Sequence, residues 1–161
     1  MTTPHDHQPA GSAPTYEDPL RKGLPADHAR QVARQILSGP HLSVLATTNA
    51  DRSAQLSVIF VKPDGDDILF STIESRRKTT NMSRDPRVTL LLHSLPASAV
   101  SAYATIHGTV EVTDDPDGAF LQVIYGLRMG GATPPPEPGA HRLIVRVHPR
   151  RTYAPFPFSS E

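Results

Sequence analysis

The chain has 161 residues, 16 basic and 16 acidic, and so no formal net charge. That length fits one domain with a real core, and the balanced charge argues against a general nucleic-acid or membrane-surface binder. Cysteine is absent, which excludes disulfides, thiolate catalysis and cysteine-based metal sites; no apolar run approaches the ~20 residues of a membrane span.

Residues 1–23 are rich in Pro, His, Gly, Ser and Thr, with almost no large apolar residue before Leu20. Such a segment buries too little surface to order itself and is expected to be a disordered tail. Its start, MTTPHDHQPAGSAP, lacks the charged start and apolar core of a secretory signal, so a cytosolic protein is expected. His5 and His7 have no third ligand nearby, so a flexible tail outweighs a metal site there. The folded domain is expected over 24–154, with a short C-terminal tail over 155–161.

Pro25 to Ser38 reads as a helix. Pro25 suits a first turn, and Ala29, Val32, Ala33, Ile36 and Leu37 recur at three and four to give one apolar face. His28 lies just off that face, and Gly39-Pro40 is a stop signal. His41 to Thr48 is the first strand, and Asn49 to Arg52 a turn with Asx chemistry. Ala54 to Lys62, AQLSVIFVK, is the second strand. Leu56, Val58 and Phe60 point one way; Gln55, Ser57, Ile59 and Val61 point the other. Pro63 to Asp66 is a hairpin turn, and Asp67 to Thr72 the third strand.

A basic turn comes next. Arg76, Arg77 and Lys78 stand beside the hydroxyls of Ser71, Thr72 and Ser75, where a short helix from about Arg77 to Arg84 begins. Fixed positive charge and free backbone N–H groups at a helix start suit a phosphate. The same run also reads as a solvated basic turn, and spacing alone leaves both open. Asp85-Pro86 closes the helix. Arg87 to His93 is nearly all apolar and is expected to be a strand buried on both faces.

Val100 to Thr113 alternates with period two over its whole length. Its small residues Ala102, Ala104 and Gly108 imply either a bulky neighbour or tight coiling at Gly108. His107 falls on the polar face, where a solvated strand residue outweighs a catalyst. Asp114-Asp115-Pro116 opens a helix with an Asp cap and Pro in the first turn. Ala119, Phe120, Val123, Ile124 and Leu127 form its apolar face, and Gly130-Gly131 ends it. Ala132 to Gly139, ATPPPEPG, is a proline-rich loop. His141 to His148 is the last strand. Phe156 and Phe158, in the tail, are expected to pack onto this subunit or a partner.

Strands joined by tight turns, without βαβ alternation, give a mainly β (α+β) antiparallel sheet closed as a barrel. Several of its segments together resemble the pyridoxamine 5′-phosphate oxidase-like split-barrel superfamily. They are Leu45-Ala46-Thr47, Ser57 to Phe60, Phe70-Ser71-Thr72, Ser75 to Lys78, Asn81-Met82, Asp85 to Val88 and His107 to Val112. The resemblance spans about residues 30–153 and is most specific from Lys78 to Val88.

It implies a six-stranded antiparallel split β-barrel with flanking helices, forming a homodimer with two flavin-type cofactors at the interface. By position, Leu56, Ser57, Val58, Ile59, Phe60 and Val61 would run along the isoalloxazine edge. Ser71 and Thr72 would stand at the phosphate and ribityl end, and Ser75, Arg77 and Lys78 would bind the phosphate. Authentic pyridoxamine phosphate oxidases carry an arginine where Leu56 stands, and a Trp- and Arg-rich C-terminus. This chain has no tryptophan, and Arg146-Val147-His148 reads as a chance match to the R-x-H substrate motif. The chain is more similar to the branch that binds the deazaflavin coenzyme F-420, whose acidic tail would suit Arg76 and Arg84. The resemblance therefore implies an F-420-dependent reductase passing hydride to a small organic substrate, without a metal. Tyr103, His107 and Tyr125 are weak candidates for a proton donor. The alternatives are an FMN-dependent oxidoreductase of the same fold and a non-catalytic flavin or deazaflavin carrier.

Overall fold

A computed structural model describes residues 26–38, 42–93 and 103–155. The 1–23 tail, Pro25, the Gly39-Pro40 stop and the Phe156 and Phe158 tail lie outside the described residues. The elements in order are α1 (Ala26–Leu37), β1 (Ser43–Thr48), β2 (Ala54–Ile59), β3 (Lys62–Asp64), β4 (Asp67–Ile73), α2 (Arg77–Arg84), β5 (Arg87–His93), β6 (Tyr103–Asp114), α3 (Ala119–Arg128) and β7 (Arg142–Tyr153). All seven strands form one antiparallel sheet in the order β2-β1-β5-β6-β7-β4-β3.

Connectivity forces this sheet to curl. β2 and β3 are its two edges, yet only Phe60 and Val61 separate them. From Ile59 to Lys62 the chain reaches at most about 11 Å. Flat, the edges would stand six strand spacings apart, roughly 29 Å. The sheet therefore wraps until its edges approach, and the fold is a split barrel with flanking helices. The run Ala54–Lys62, expected as one strand, is corrected to two, which makes seven strands rather than six. Its alternation continues through the bend because both halves keep an inward face. The carbonyl of Val61 is held at the bend by Arg128 at the end of α3, whose Nε and a terminal guanidinium nitrogen donate to it at 3.2 and 2.8 Å.

The inward faces build the core. Leu45, Ile68, Phe70, Leu90, Leu92, Val145 and Val147 are almost fully buried. α1 lays Ala29, Ala33, Ile36 and Leu37 into the same cluster, the face its spacing foretells. Burying such side chains stabilises the fold by about 1.5–3 kcal/mol each for the larger ones. Gly108 faces this interior at a bulge where β6 passes β7. A Cβ there would meet the backbone oxygen of His148 at 2.5 Å, so close approach of two strands is what requires glycine.

Three local expectations change. β5 is buried on one face only: Val88, Leu90 and Leu92 point inward, while Leu91 is 37% exposed. The helix after β6 begins at Ala119, so Pro116 lies in the turn before it. Asp115 nevertheless caps it, accepting from the backbone N–H groups of Phe120 and Leu121 at 3.3 and 3.4 Å. α3 buries Ile124 and leaves Val123 and Leu127 exposed, because it packs on β4 with a rotated face. Among the described residues no helix is long and apolar enough to cross a membrane.

Candidate cofactor site

The basic turn is built by β4 running into α2. Thr79 Oγ1 donates to the carbonyl of Ile73 at 2.8 Å and lies 3.2 Å from Thr72 Oγ1, stapling the helix to the strand end. Asn81 is buried and donates to Thr47 Oγ1 at 3.1 Å and to Asn49 Oδ1 at 3.0 Å. These contacts give Thr72, Thr79 and Asn81 structural work: they fix α2 against β4 and the β1–β2 turn. Asp85 then ends the helix, taking a hydrogen bond from the backbone N–H of Arg87 at 3.1 Å.

The helix start is electrostatically unsettled. Its cap residue, Arg76, is extended (φ −77, ψ 141), no side chain caps the turn, and the first turn holds no acidic residue. Arg77 and Lys78 thus stand at the positive end of the helix dipole, where an anion is favoured. Lys78 is half-buried, and burial first, then the charge of Arg76, holds its ammonium below the ordinary lysine value. No carboxylate pairs with it among the described residues. Beside it, the buried hydroxyl of Ser71 has no hydrogen-bond partner among the described residues. An unpaired half-buried cation next to an orphaned hydroxyl fits a phosphate oxygen set, since both supply donors that nothing else in the described chain uses.

These groups open onto a cavity of about 210 Å³ whose lining includes Ser71, Thr72, Arg76, Lys78, Tyr125 and Arg142. Glu137, from the proline-rich loop, forms its far wall. Arg76 lies 3.5 Å from Glu137 Oε1, and Arg142 donates to Oε2. Sequence reasoning missed Arg142 and Glu137 as parts of the site. They lie about sixty residues from the basic turn, and only the β4–β7 pairing of Ile73 with Arg142 brings them there.

The residues proposed from sequence fall into two groups. Ser71, Thr72 and Lys78 line the cavity, while Ser75 and Arg77 are exposed on the turn beside it. Leu56 to Val61 line none of it. Leu56 and Val58 are 64% and 65% exposed on the outer face of β2, Ser57 and Phe60 are half-buried, and Ile59 and Val61 belong to the core. Across the sheet Leu56 and Val58 stand opposite Ala46 and Val44, and Val44 opposite Leu91, so the outer face carries a continuous apolar stripe. On that face, next to the stripe, a groove of about 580 Å³ runs past Ala46, Arg87, Thr89, His107 and Arg150. A further cavity, about 540 Å³, lies between α1 and the β3–β4 hairpin and contains none of the proposed residues.

Of the proton-donor candidates, Tyr125 lines the cavity beside Lys78; His107 is exposed, with Nδ1 3.0 Å from Thr89 Oγ1, and Tyr103 is half-buried at the start of β6. Arg84 lies at the other end of α2, donating to the Thr48 carbonyl and to Asn81. It is therefore not beside the basic turn, as the sequence led one to expect. Arg146 and His148 are both engaged by carboxylates: Arg146 by Asp64 and Asp67 at 2.8 and 3.0 Å, His148 by Asp67 at 3.0 Å. Burial alone would raise Asp67, but the hydrogen bonds from Arg146 and His148 outweigh it and keep the carboxyl below its usual range. This R-x-H pair anchors the β3–β4 hairpin.

Comparison with known proteins agrees with the fold. The family described as Pyridoxamine 5′-phosphate oxidase matches residues 29–154. An F-420 reductase of known structure is 28% identical, with a TM-score of 0.67 over 74% of this chain and 94% of that one. A putative pyridoxamine 5′-phosphate oxidase from Listeria innocua shares the fold at 16% identity and a TM-score of 0.59, over 78% and 96% of the two chains. A protein of Mycobacterium tuberculosis does so at 21% and 0.64, over 86% and 93%.

Proposed function

The chain belongs to the pyridoxamine 5′-phosphate oxidase family, and from that premise we propose that it is an F-420-dependent oxidoreductase acting on a small organic substrate. The observation that carries the reading is the half-buried Lys78 beside the Ser71 hydroxyl, neither of which has a partner among the described residues. Its likeness to an F-420 reductase supports the deazaflavin in particular. When bound, such a ring supplies the hydride chemistry; the protein supplies binding, orientation and shielding from water. Lys78 and Ser71 hold the phosphate, with Thr72 fixed behind them and Ser75 and Arg77 at the rim. The run from Leu56 to Val61, which spans the end of β2 and the bend after it, flanks the ring.

The exposed Leu56, Val58 and Leu91 stripe supports a homodimer. Apolar patches of this kind mark interaction surfaces, and a second subunit there would complete the ring's enclosure. FMN is the second reading. It is favoured by Arg84 lying away from the cavity and by the carboxylate of Glu137 inside it, both unhelpful to an acidic cofactor tail.

The test is a titration of cofactor-free protein with F-420 and, separately, FMN at physiological salt, read by fluorescence or calorimetry. Tight F-420 binding with weak FMN binding is expected. The reverse order transfers the assignment to FMN. Binding of neither makes the basic turn a solvated surface.

A further inference from the structure

The loop that closes the cavity is built as a strap. Residues 132–139 read ATPPPEPG, and its four prolines have no N–H to donate. Proline-rich chain is stiff and extended. The strap is bounded by Gly131 (φ 80) and Gly139 (φ 75), backbone states that glycine adopts without strain. Its backbone hydrogen bonds are local: Ala132 N–H to the Met129 carbonyl at 3.2 Å and Ala140 N–H to the Glu137 carbonyl at 3.1 Å. Beyond Gly139 the chain is fixed again, where Glu74 N–H donates to the His141 carbonyl at 3.0 Å. Between these ends, among the described residues, the strap's polar attachment to the barrel is the Glu137 carboxylate on Arg76 and Arg142.

We propose that Glu137 is a resident counter-ion that latches the strap. Its carboxylate holds the place of an anion on Arg76 and Arg142, and a cofactor phosphate entering beside Ser71 and Lys78 displaces it and frees residues 132–139. The inference rests on the phosphate reading of the cavity. Two observations and one electrostatic argument carry it. The carboxylate is two-thirds covered yet bonded to side chains only, at a site whose other charged residues are all cations. A phosphate anion arriving with Glu137 in place would meet like charge at close range. The cavity of about 210 Å³ is smaller than the ~300–1,000 Å³ of ordinary ligand pockets, so it admits a phosphate-sized group and grows only by moving this wall. Arg142, 16% exposed, then becomes a direct contact of the phosphate.

The experiment compares the full-length protein with Glu137→Gln and Glu137→Asp. Probes are FMN and F-420, which carry the phosphate, and riboflavin, which does not. Exchanging one partly exposed ion pair for another is worth a modest factor. Glu137→Gln is expected to bind the phosphate-bearing probes about three- to tenfold tighter, with riboflavin unchanged. Glu137→Asp, which keeps the charge, is expected to stay within about twofold of wild type. Hydrogen exchange at the amides of Thr133, Glu137, Gly139 and Ala140 is expected to quicken when wild type is saturated with the better-bound phosphate probe. Phosphate-dependent binding that Glu137→Gln leaves unchanged or weakens overturns the latch and makes Glu137 a permanent wall of the site, as does exchange that slows on binding. If no phosphate-bearing probe binds either protein, the phosphate reading itself falls, and the latch with it.

Discussion

Replacing Lys78 by methionine separates binding from folding at this site. Methionine keeps most of the half-buried stem and removes the charge. A hydrogen bond to a charged partner contributes about 1.5–3 kcal/mol, and each 1.36 kcal/mol is tenfold. Lys78→Met should therefore weaken binding of F-420 or FMN by roughly 10- to 150-fold. In the ligand-free protein the sign differs. Burial and the neighbouring Arg76 already disfavour the ammonium, so losing it should leave Tm unchanged or slightly raised, a common trade between stability and function. The assay is a fluorescence titration of both proteins with each phosphate-bearing probe and with riboflavin, beside a thermal melt. Phosphate-probe affinity within twofold of wild type would remove Lys78 from the site. An equal loss for riboflavin would mean that the substitution had collapsed the cavity rather than deleted a phosphate contact.

The fold sets other outcomes. Leu56→Glu with Val58→Glu should convert the proposed homodimer to monomers in sedimentation experiments, since each side chain contributes about 1.5–3 kcal/mol when buried; unchanged sedimentation would place any dimer contact elsewhere. Gly108→Ala should destabilise the barrel by about 1–3 kcal/mol through overpacking, because the new Cβ would lie 2.5 Å from the His148 oxygen; an unaltered melt would mean that β7 gives way freely. Acid should loosen the structure in a defined window. Hydrogen bonds from Arg87 hold the Asp85 carboxyl at about 2, so between about pH 2 and 4 the folded state binds fewer protons than the unfolded one. Stability then rises with pH across that window and is lost on acidification. Asp85→Asn should flatten that slope, and a slope that persists in full would assign it to other carboxylates such as Asp67.

The parts of the fold legible from sequence are those with local chemistry. α2 and β5 have the bounds expected of them because Asp85-Pro86 punctuates the chain and the Asp85 carboxylate takes the backbone N–H of Arg87 at the start of β5. The face of α1 comes from its spacing. The bend at Phe60-Val61 carries no such mark. Both residues favour strand, and the break comes from closing the barrel, a demand of the whole sheet. The face of α3 was equally hidden, since apolar residues ring much of that helix and packing on β4 chooses among them. Within the site, Lys78, Ser71 and Thr72 announce themselves by clustering in sequence. Arg142 and Glu137 do not: one looks like an ordinary polar strand position, the other like a charge in a loop.

The Phe60-Val61 bend also bears on how the barrel comes apart. Because β2 and β3 are one run of chain, the two sheet edges are mechanically joined. A breathing motion that lifts β2 from β1 pulls on β3 and on the Arg128 hold at the Val61 carbonyl. Edge strands in an open sheet ordinarily fray independently and exchange their amides early. Here the two margins are expected to share a single opening event, with amides of β2 and β3 exchanging at one common rate. A barrel that is split by topology thus behaves, in its fluctuations, as a closed hoop.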